Sequence, residues 1–249
     1  MNFSAMVYHY QEFLNPLIKW KILDTDSLQR LSDYQGSYVN FCKVIRKLKM
    51  KNLVCWEPLI HRKKRVVYLT REAQKEITPH APYLIDDRII FHDAIVSNIA
   101  RSFLEKKYFY DSELSHEHIG NKKWNYANIL EPDAILFGEN KKAHFKVAIE
   151  VELTQKSKDR IAEKINSYSR SEFFNSAFYI FHKRNVFDAY INSLREIQTS
   201  APSSSYGKAV GQKIFLIFKE DLIRFPLDFS ESAIFVNDKE RKFHEVLDV

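Results

Sequence analysis

Three carboxylates, Asp133, Glu150 and Glu152, are spaced so that one hairpin would bring them into a small volume. The stretch opens Glu131-Pro132-Asp133, runs apolar over 134–137, turns through Gly138-Glu139-Asn140-Lys141-Lys142 and returns over 144–153. Two β-type runs joined by a polar turn containing Gly and Asn are a hairpin signal. Residues two apart in a strand share a face, so Glu150 and Glu152 point one way and Val147, Ile149 and Val151 the other. Tight pairing then sets Asp133, at the start of the first strand, beside the end of the second. Carboxylates so close raise one another's pKa unless something positive lies between them. A divalent ion held by oxygen ligands is the simplest answer, with Mg²⁺ expected and Mn²⁺ as its substitute. The matching chemistry is metal-assisted attack on a phosphodiester. The plainer reading of the same residues, a solvated strand face and a turn, stays open at this point.

The elements that must position these groups follow from periodicity. Ile89, Ile90, Ile95, Ile99, Phe103 and Leu104 predict an amphipathic helix over 86–107, carrying His92-Asp93 as a core-edge pair. A strand over 108–114 follows, with Glu113 a fourth acidic candidate at its far end. Residues 115–128 read as a loop whose His116 and His118 approach DNA. Beyond the hairpin, a helix over 159–173 has Lys156, Lys158, Arg160 and Lys164 around its start, where the helix dipole adds to their attraction for a phosphate. Tyr168 lies four residues past Lys164 on the same face. A strand over 175–181, a helix over 186–197, a Ser-rich loop over 198–211, a strand over 213–218 and a polar tail complete the chain.

The segment before residue 78 reads as a module of its own. A helical period over 13–23 contains Pro16, and Asp26 or Ser27 caps a short helix ending at Leu31. A turn at 33–36 leads to a helix over 37–50, with Val39, Phe41, Cys42, Ile45 and Leu48 inward and Lys43, Arg46, Lys47 and Lys49 outward. Strands over 53–56 and 65–69 flank a basic tip carrying Arg62, Lys63 and Lys64. Helix, turn, basic helix and basic wing outline a winged helix-turn-helix, with phosphate contacts from Lys43, Arg46, Lys47, Arg62, Lys63 and Lys64. Two prolines in 78–82 mark the linker.

Composition agrees with a DNA-facing protein. A chain of 249 residues, 45% hydrophobic, has enough apolar surface for one large or two small cores. The net charge of +6 favours a polyanionic partner. Two cysteines without metal-type spacing point to a reducing cytoplasm, and no secretory leader or membrane-spanning run is evident.

The pattern resembles the PD-(D/E)XK nuclease superfamily, whose restriction-endonuclease-like core is αβββαβ. In that superfamily a Pro-Asp opens the second core strand and an acidic-X-Lys closes the third. Pro132-Asp133 matches the first half; Glu150-Val151-Glu152 matches the second, with Glu152 where Lys is usual. Some restriction enzymes carry that Glu-X-Glu form. The resemblance implies Asp133 and Glu150 as metal ligands, Glu152 as ligand or general base, Glu113 as an upstream member, and Lys156 or Lys164 as the compensating cation. With the winged helix in front, the segment 150–157 leading to Tyr168 is similar to the replication-relaxation family and MobC-class mobilisation relaxases, over about residues 17–218. That implies recognition of a DNA origin and nicking of one strand. A relaxase His triad is missing, so hydrolysis or metal-assisted transfer on carboxylates fits better than attack by Tyr168.

The expected architecture is α/β: a winged helix-turn-helix over 1–80, then a restriction-endonuclease-like core with a mixed central sheet over 83–249. The expected protein is a metal-dependent DNA endonuclease or nickase acting at a plasmid or mobile-element origin. The alternative is a non-catalytic DNA-binding replication initiator or regulator with a degenerate nuclease domain. Double-stranded DNA is the partner; one winged helix reads a short site, so a homodimer or an accessory mobilisation or replication protein is expected to complete the specificity.

Overall fold

The structure, a computed structural model, describes residues 3–59, 65–77, 89–119, 131–139, 143–200, 210, 212–222 and 225–246, and of residues 118 and 119 the backbone alone. The chain divides into two compact units, one of residues 1–97 with 116–124 and one of residues 98–115 with 125–249. The linker expected at 78–82 lies outside the described residues.

The first unit starts with α1 (Phe3–His9) and α2 (Gln11–Trp20), and α2 accommodates Pro16. The helical period over 13–23 does not run its full length: Lys21 ends the helix at φ 61°, and Ile22–Asp24 form a strand, β1. Next come α3 (Thr25–Leu31), α4 (Tyr38–Met50), β2 (Val54–Pro58), β3 (Arg65–Leu69) and α5 (Arg71–Ile77). Strand β1 finds its partners far along the chain, Ile22 opposite Tyr68 and Leu23 opposite Val67, completing an antiparallel β1-β3-β2 sheet. The cap of α3 is Asp24, not Asp26 or Ser27; its carboxylate accepts the Ser27 N–H at 3.0 Å and the Ser27 hydroxyl at 2.7 Å. Ser37 caps α4 as its position suggests. Phe41, Ile45 and Leu48 are buried at helical spacing, whereas Val39, expected inward, is 65% exposed because it sits a quarter-turn off that stripe.

The second unit is built on a seven-stranded mixed sheet in the order β10-β9-β8-β7-β6-β5-β4. Its elements are the end of α6 (Ile90–Glu105), β4 (Asp111–Leu114), the first residue of α7 (Ser115–Ile119), β5 (Ala134–Glu139), β6 (His144–Glu152), α8 (Lys158–Arg170), β7 (Ser176–Phe181), α9 (Arg184–Ser200), β8 (Ile214–Phe218), β9 (Ala233–Val236) and β10 (Lys239–Lys242). Strands β4, β5 and β6 form an antiparallel meander; β6, β7 and β8 run parallel, as the intervening α8 and α9 require. Two expectations change. Part of the segment read as loop, 115–119, is helical, and the polar tail contains an antiparallel hairpin that extends the sheet. The hairpin turn is Asn237-Asp238, both at positive φ, residue types that tolerate the left-handed region.

Both faces of this sheet are covered, which explains why β6 is buried on both sides. One face carries an aromatic layer in which Phe103 of α6 meets Phe109, Phe178 and Phe229. On the other, Ala148, Tyr179 and Phe181 pack with Ile161, Ile165 and Tyr168 of α8 and Phe187, Tyr190 and Leu194 of α9. Glu150 and Glu152 share the face of Ala148 and therefore enter a hydrophobic core.

Candidate active site

The hairpin places Asp133 as the sequence suggests. Its backbone N–H donates to the Ile149 carbonyl at 2.9 Å, and its Oδ2 accepts the Val151 N–H at 2.7 Å. Asp133 thus clamps the end of β6 between Glu150 and Glu152. Both glutamates are buried, Glu150 to 2% and Glu152 to 4% exposure, so the solvated-face reading of the pair does not hold.

A buried carboxylate is costly unless its oxygens are hydrogen-bonded and its charge is matched. Lys164 of α8 reaches back to place its ammonium 2.5 Å from Glu150 Oε2. One turn later on the same helix, the Tyr168 hydroxyl donates to Glu150 Oε1. Tyr190 of α9 hydrogen-bonds Glu152, and Lys156 Nζ lies 3.9 Å from Glu152 Oε2. Of the two lysines proposed for this region, Lys164 makes the close contact and Lys156 the loose one.

The charges do not balance. Burial and the neighbouring Asp133 push the Glu150 carboxyl up to about 8, more than Lys164 and Tyr168 offset. Burial likewise raises Glu152 against the pull of Lys164. Burial works to lower Lys164, but Glu150 and then Asp133 and Glu152 outweigh it and hold the ammonium protonated. The Tyr168 phenol is raised by burial and by Glu150, the opposite of what a phenoxide nucleophile requires.

Glu113 is less close. It pairs with Ile135 on β5, which pairs with Ala148 on β6. It shares the face of Glu150, but two strands across and two residues along place its Cα roughly 12 Å away from strand spacings. Among the described residues no three His, Cys, Asp or Glu side chains are grouped as a set that could hold a metal ion. A Mg²⁺ site, however, needs one or two carboxylates with water and phosphate filling the rest. Asp133 and Glu150 are donors of that hard-oxygen type and carry surplus negative charge, so the residues fit such an ion.

The other singled-out residues divide. Lys43, Arg46 and Lys47 lie exposed along α4, with the Arg46 guanidinium 6.0 Å from the Trp56 ring. Arg62, Lys63 and Lys64 lie outside the described residues. His116, expected in a loop, is buried in α7 within hydrogen-bonding distance, 3.0 Å, of the Ile18 carbonyl; burial lowers its pKa to about 4. Asp93 is ion-paired with Lys21 at 2.5 Å and lies beside His92. Tyr179 and Tyr190 escaped sequence reading, because only the β6–β7 register, Glu150 opposite Tyr179, and the packing of α9 bring them to the glutamates.

Comparison with protein-family models gives no match, and neither does comparison with curated proteins. Among solved structures, restriction endonuclease FokI is similar at 11% identity with a TM-score of 0.28; the match covers 80% of this chain and 42% of that one. A superposition at that score bears no weight in assigning function. No described helix is long and apolar enough to cross a membrane.

Proposed function

We propose that this protein is a metal-dependent DNA endonuclease, acting as a nickase at a plasmid or mobile-element origin in the manner of the replication-relaxation family. The observation that carries this is the meeting of Asp133, Glu150 and Glu152 with Lys164 at the end of one hairpin. Asp133 and Glu150 would hold Mg²⁺, or Mn²⁺ in its place. When bound, the ion would offset charge on the scissile phosphate and acidify water. Lys164, 31% exposed, presents a fixed ammonium to the phosphate while staying paired to Glu150. Glu152, already raised in pKa, is suited to take the proton of the attacking water. Glu113 and Lys156 stand further out, as supporting charges.

The first unit would bring DNA to this centre as a winged helix. Support comes from the order α3, turn, α4, then the β2–β3 hairpin, and from the exposed cations of α4. Replacing Lys43 and Lys47 by Ala should weaken binding to any duplex and lower the salt slope of log K by about one per lost phosphate contact, read by fluorescence anisotropy.

One observation favours the non-catalytic alternative: both oxygens of Glu150 already have partners within the protein, as in a structural ion cluster. Conversion of supercoiled plasmid to open circle in Mg²⁺, Mn²⁺ or EDTA, comparing wild type with Glu150→Ala and Asp133→Ala, decides between them. Metal-dependent open circles, reduced roughly 100-fold or more in both variants, are expected of the nickase. Intact plasmid with every metal, including DNA carrying the origin of its own replicon, leaves the DNA-binding regulator.

A further inference from the structure

Three tyrosine rings surround the two buried glutamates, and two of them hold the carboxylates by their hydroxyls. We propose that Tyr168 and Tyr190 are positioning residues: their hydroxyls fix how the Glu150 and Glu152 carboxylates present themselves to a bound divalent cation, and neither tyrosine is a nucleophile. This rests on the metal-dependent reading above.

A glutamate side chain has several rotatable bonds, so in a buried site its orientation is set by whatever donates to its two oxygens. Glu150 receives Tyr168 on Oε1 and Lys164 on Oε2. These donors lie four residues apart on α8 and together fix the carboxylate plane. The rings cannot follow a wandering carboxylate. Tyr168 is edge-on to Phe174 at 5.7 Å and to Tyr179 at 6.1 Å, and Tyr190 packs on Phe181 at 4.8 Å and Tyr179 at 5.7 Å. The glutamates must therefore conform to the phenols. Tyr168 is 1% exposed, so its oxygen is closed to a DNA phosphate, and its raised pKa keeps the proton that the hydrogen bond to Glu150 uses. Tyr179 supplies an internal contrast: it lies opposite Glu150 in register, but its buried hydroxyl has no hydrogen-bond partner among the described residues.

The test uses the full chain and Tyr→Phe changes, which remove one oxygen and keep each ring. Mn²⁺ binding is measured by calorimetry, and plasmid nicking at saturating metal is measured alongside. Tyr168→Phe should weaken Mn²⁺ binding about 10- to 100-fold, the usual effect of losing a group that orients a metal ligand, and lower kcat without changing KM for DNA. Tyr190→Phe should act in the same direction by less. Tyr179→Phe should leave Mn²⁺ affinity alone and hold or raise Tm, since it deletes an unsatisfied hydroxyl. If Tyr168→Phe fails to fold, Tyr190→Phe carries the same measurement.

Wild-type Mn²⁺ affinity and kcat in both variants would overturn the proposal while leaving the nuclease reading intact. A covalent protein–DNA product that disappears with Tyr168→Phe would also overturn it. Wild-type protein that binds Mn²⁺ through these groups yet cuts no DNA would sink the nuclease reading and support the positioning role. Wild-type protein that takes up no Mn²⁺ would end both.

Discussion

Each unit of this chain contains a lysine–carboxylate pair at 2.5 Å: Lys21–Asp93 in the first and Lys164–Glu150 in the second. Their surroundings give opposite electrostatics. Burial raises Asp93, but the His92 hydrogen bond and then Lys21 outweigh it, and the carboxyl is held below its ordinary value. At Glu150, burial and Asp133 win over Lys164 and Tyr168, and the carboxyl rises to about 8. Solvent access differs too. The Lys21 side chain is 10% exposed and Asp93 14%, a closed pair, whereas Lys164 is 31% exposed above a 2% exposed Glu150. The distance of an ion pair therefore says little about its role; the local count of charges and the path to solvent separate a structural clamp from a site with an unmet demand for a cation.

Lys21→Met and Lys164→Met break this comparison most sharply. Removing one partner of a buried pair costs about 3–5 kcal/mol, so urea unfolding should show that scale of loss for Lys21→Met and somewhat less for the more exposed Lys164. Nicking per folded molecule should stay at the wild-type level in Lys21→Met and fall roughly 100-fold in Lys164→Met, the scale of losing one preorganised transition-state contact. Equal effects of both on nicking would erase the distinction.

Replacing each pair whole is the next test. Exchange of a buried ion pair for apolar side chains is often neutral or stabilising by about 1–4 kcal/mol. Lys21→Met with Asp93→Leu should accordingly keep or raise Tm and remain active. Lys164→Met with Glu150→Leu should fold but neither bind Mn²⁺ nor cut.

The smallest effect is a pH dependence in the first unit. His116 is pushed to about 4 by burial, with Lys21 adding to the shift and the Ile18 carbonyl opposing it. The folded state therefore binds this proton less readily than the unfolded chain, whose histidine titrates near 6.5. The stability it contributes is complete above about pH 6.5 and is lost as pH falls toward about 4, at up to about 1.4 kcal/mol per pH unit. Tm measured at pH 7.5 and pH 5 should differ less in His116→Gln than in wild type. Lys21→Met should also shrink the difference, because it removes a positive charge near the ring.

Much of the second unit was legible along the chain. The alternation of 144–152, the polar turn before it and the 3.6-residue period of α8 are local signals, set by which face of a strand or helix is apolar. Lys164 and Tyr168 were visible as neighbours on one helical face for the same reason. The β9–β10 hairpin was legible too, in an apolar run ending at Asn237-Asp238, though the charged residues of β10 made the segment look like a tail. The strand in 22–24 was not, because its partner is forty-odd residues away and its apolar residues fit a helix equally well.

The sequence by itself determined the elements, the Asp133–Glu150 hairpin and the identity of the charged groups, because these depend on neighbours a few residues apart. Only the tertiary structure decided that Glu150 and Glu152 are buried, that Lys164 rather than Lys156 meets Glu150, that Tyr168 is a donor, and that Tyr190 and Tyr179 join them. Each of those depends on α8 and α9 packing over the sheet. Burial and charge balance are properties of the assembled volume, and contacts distant along the chain create that volume.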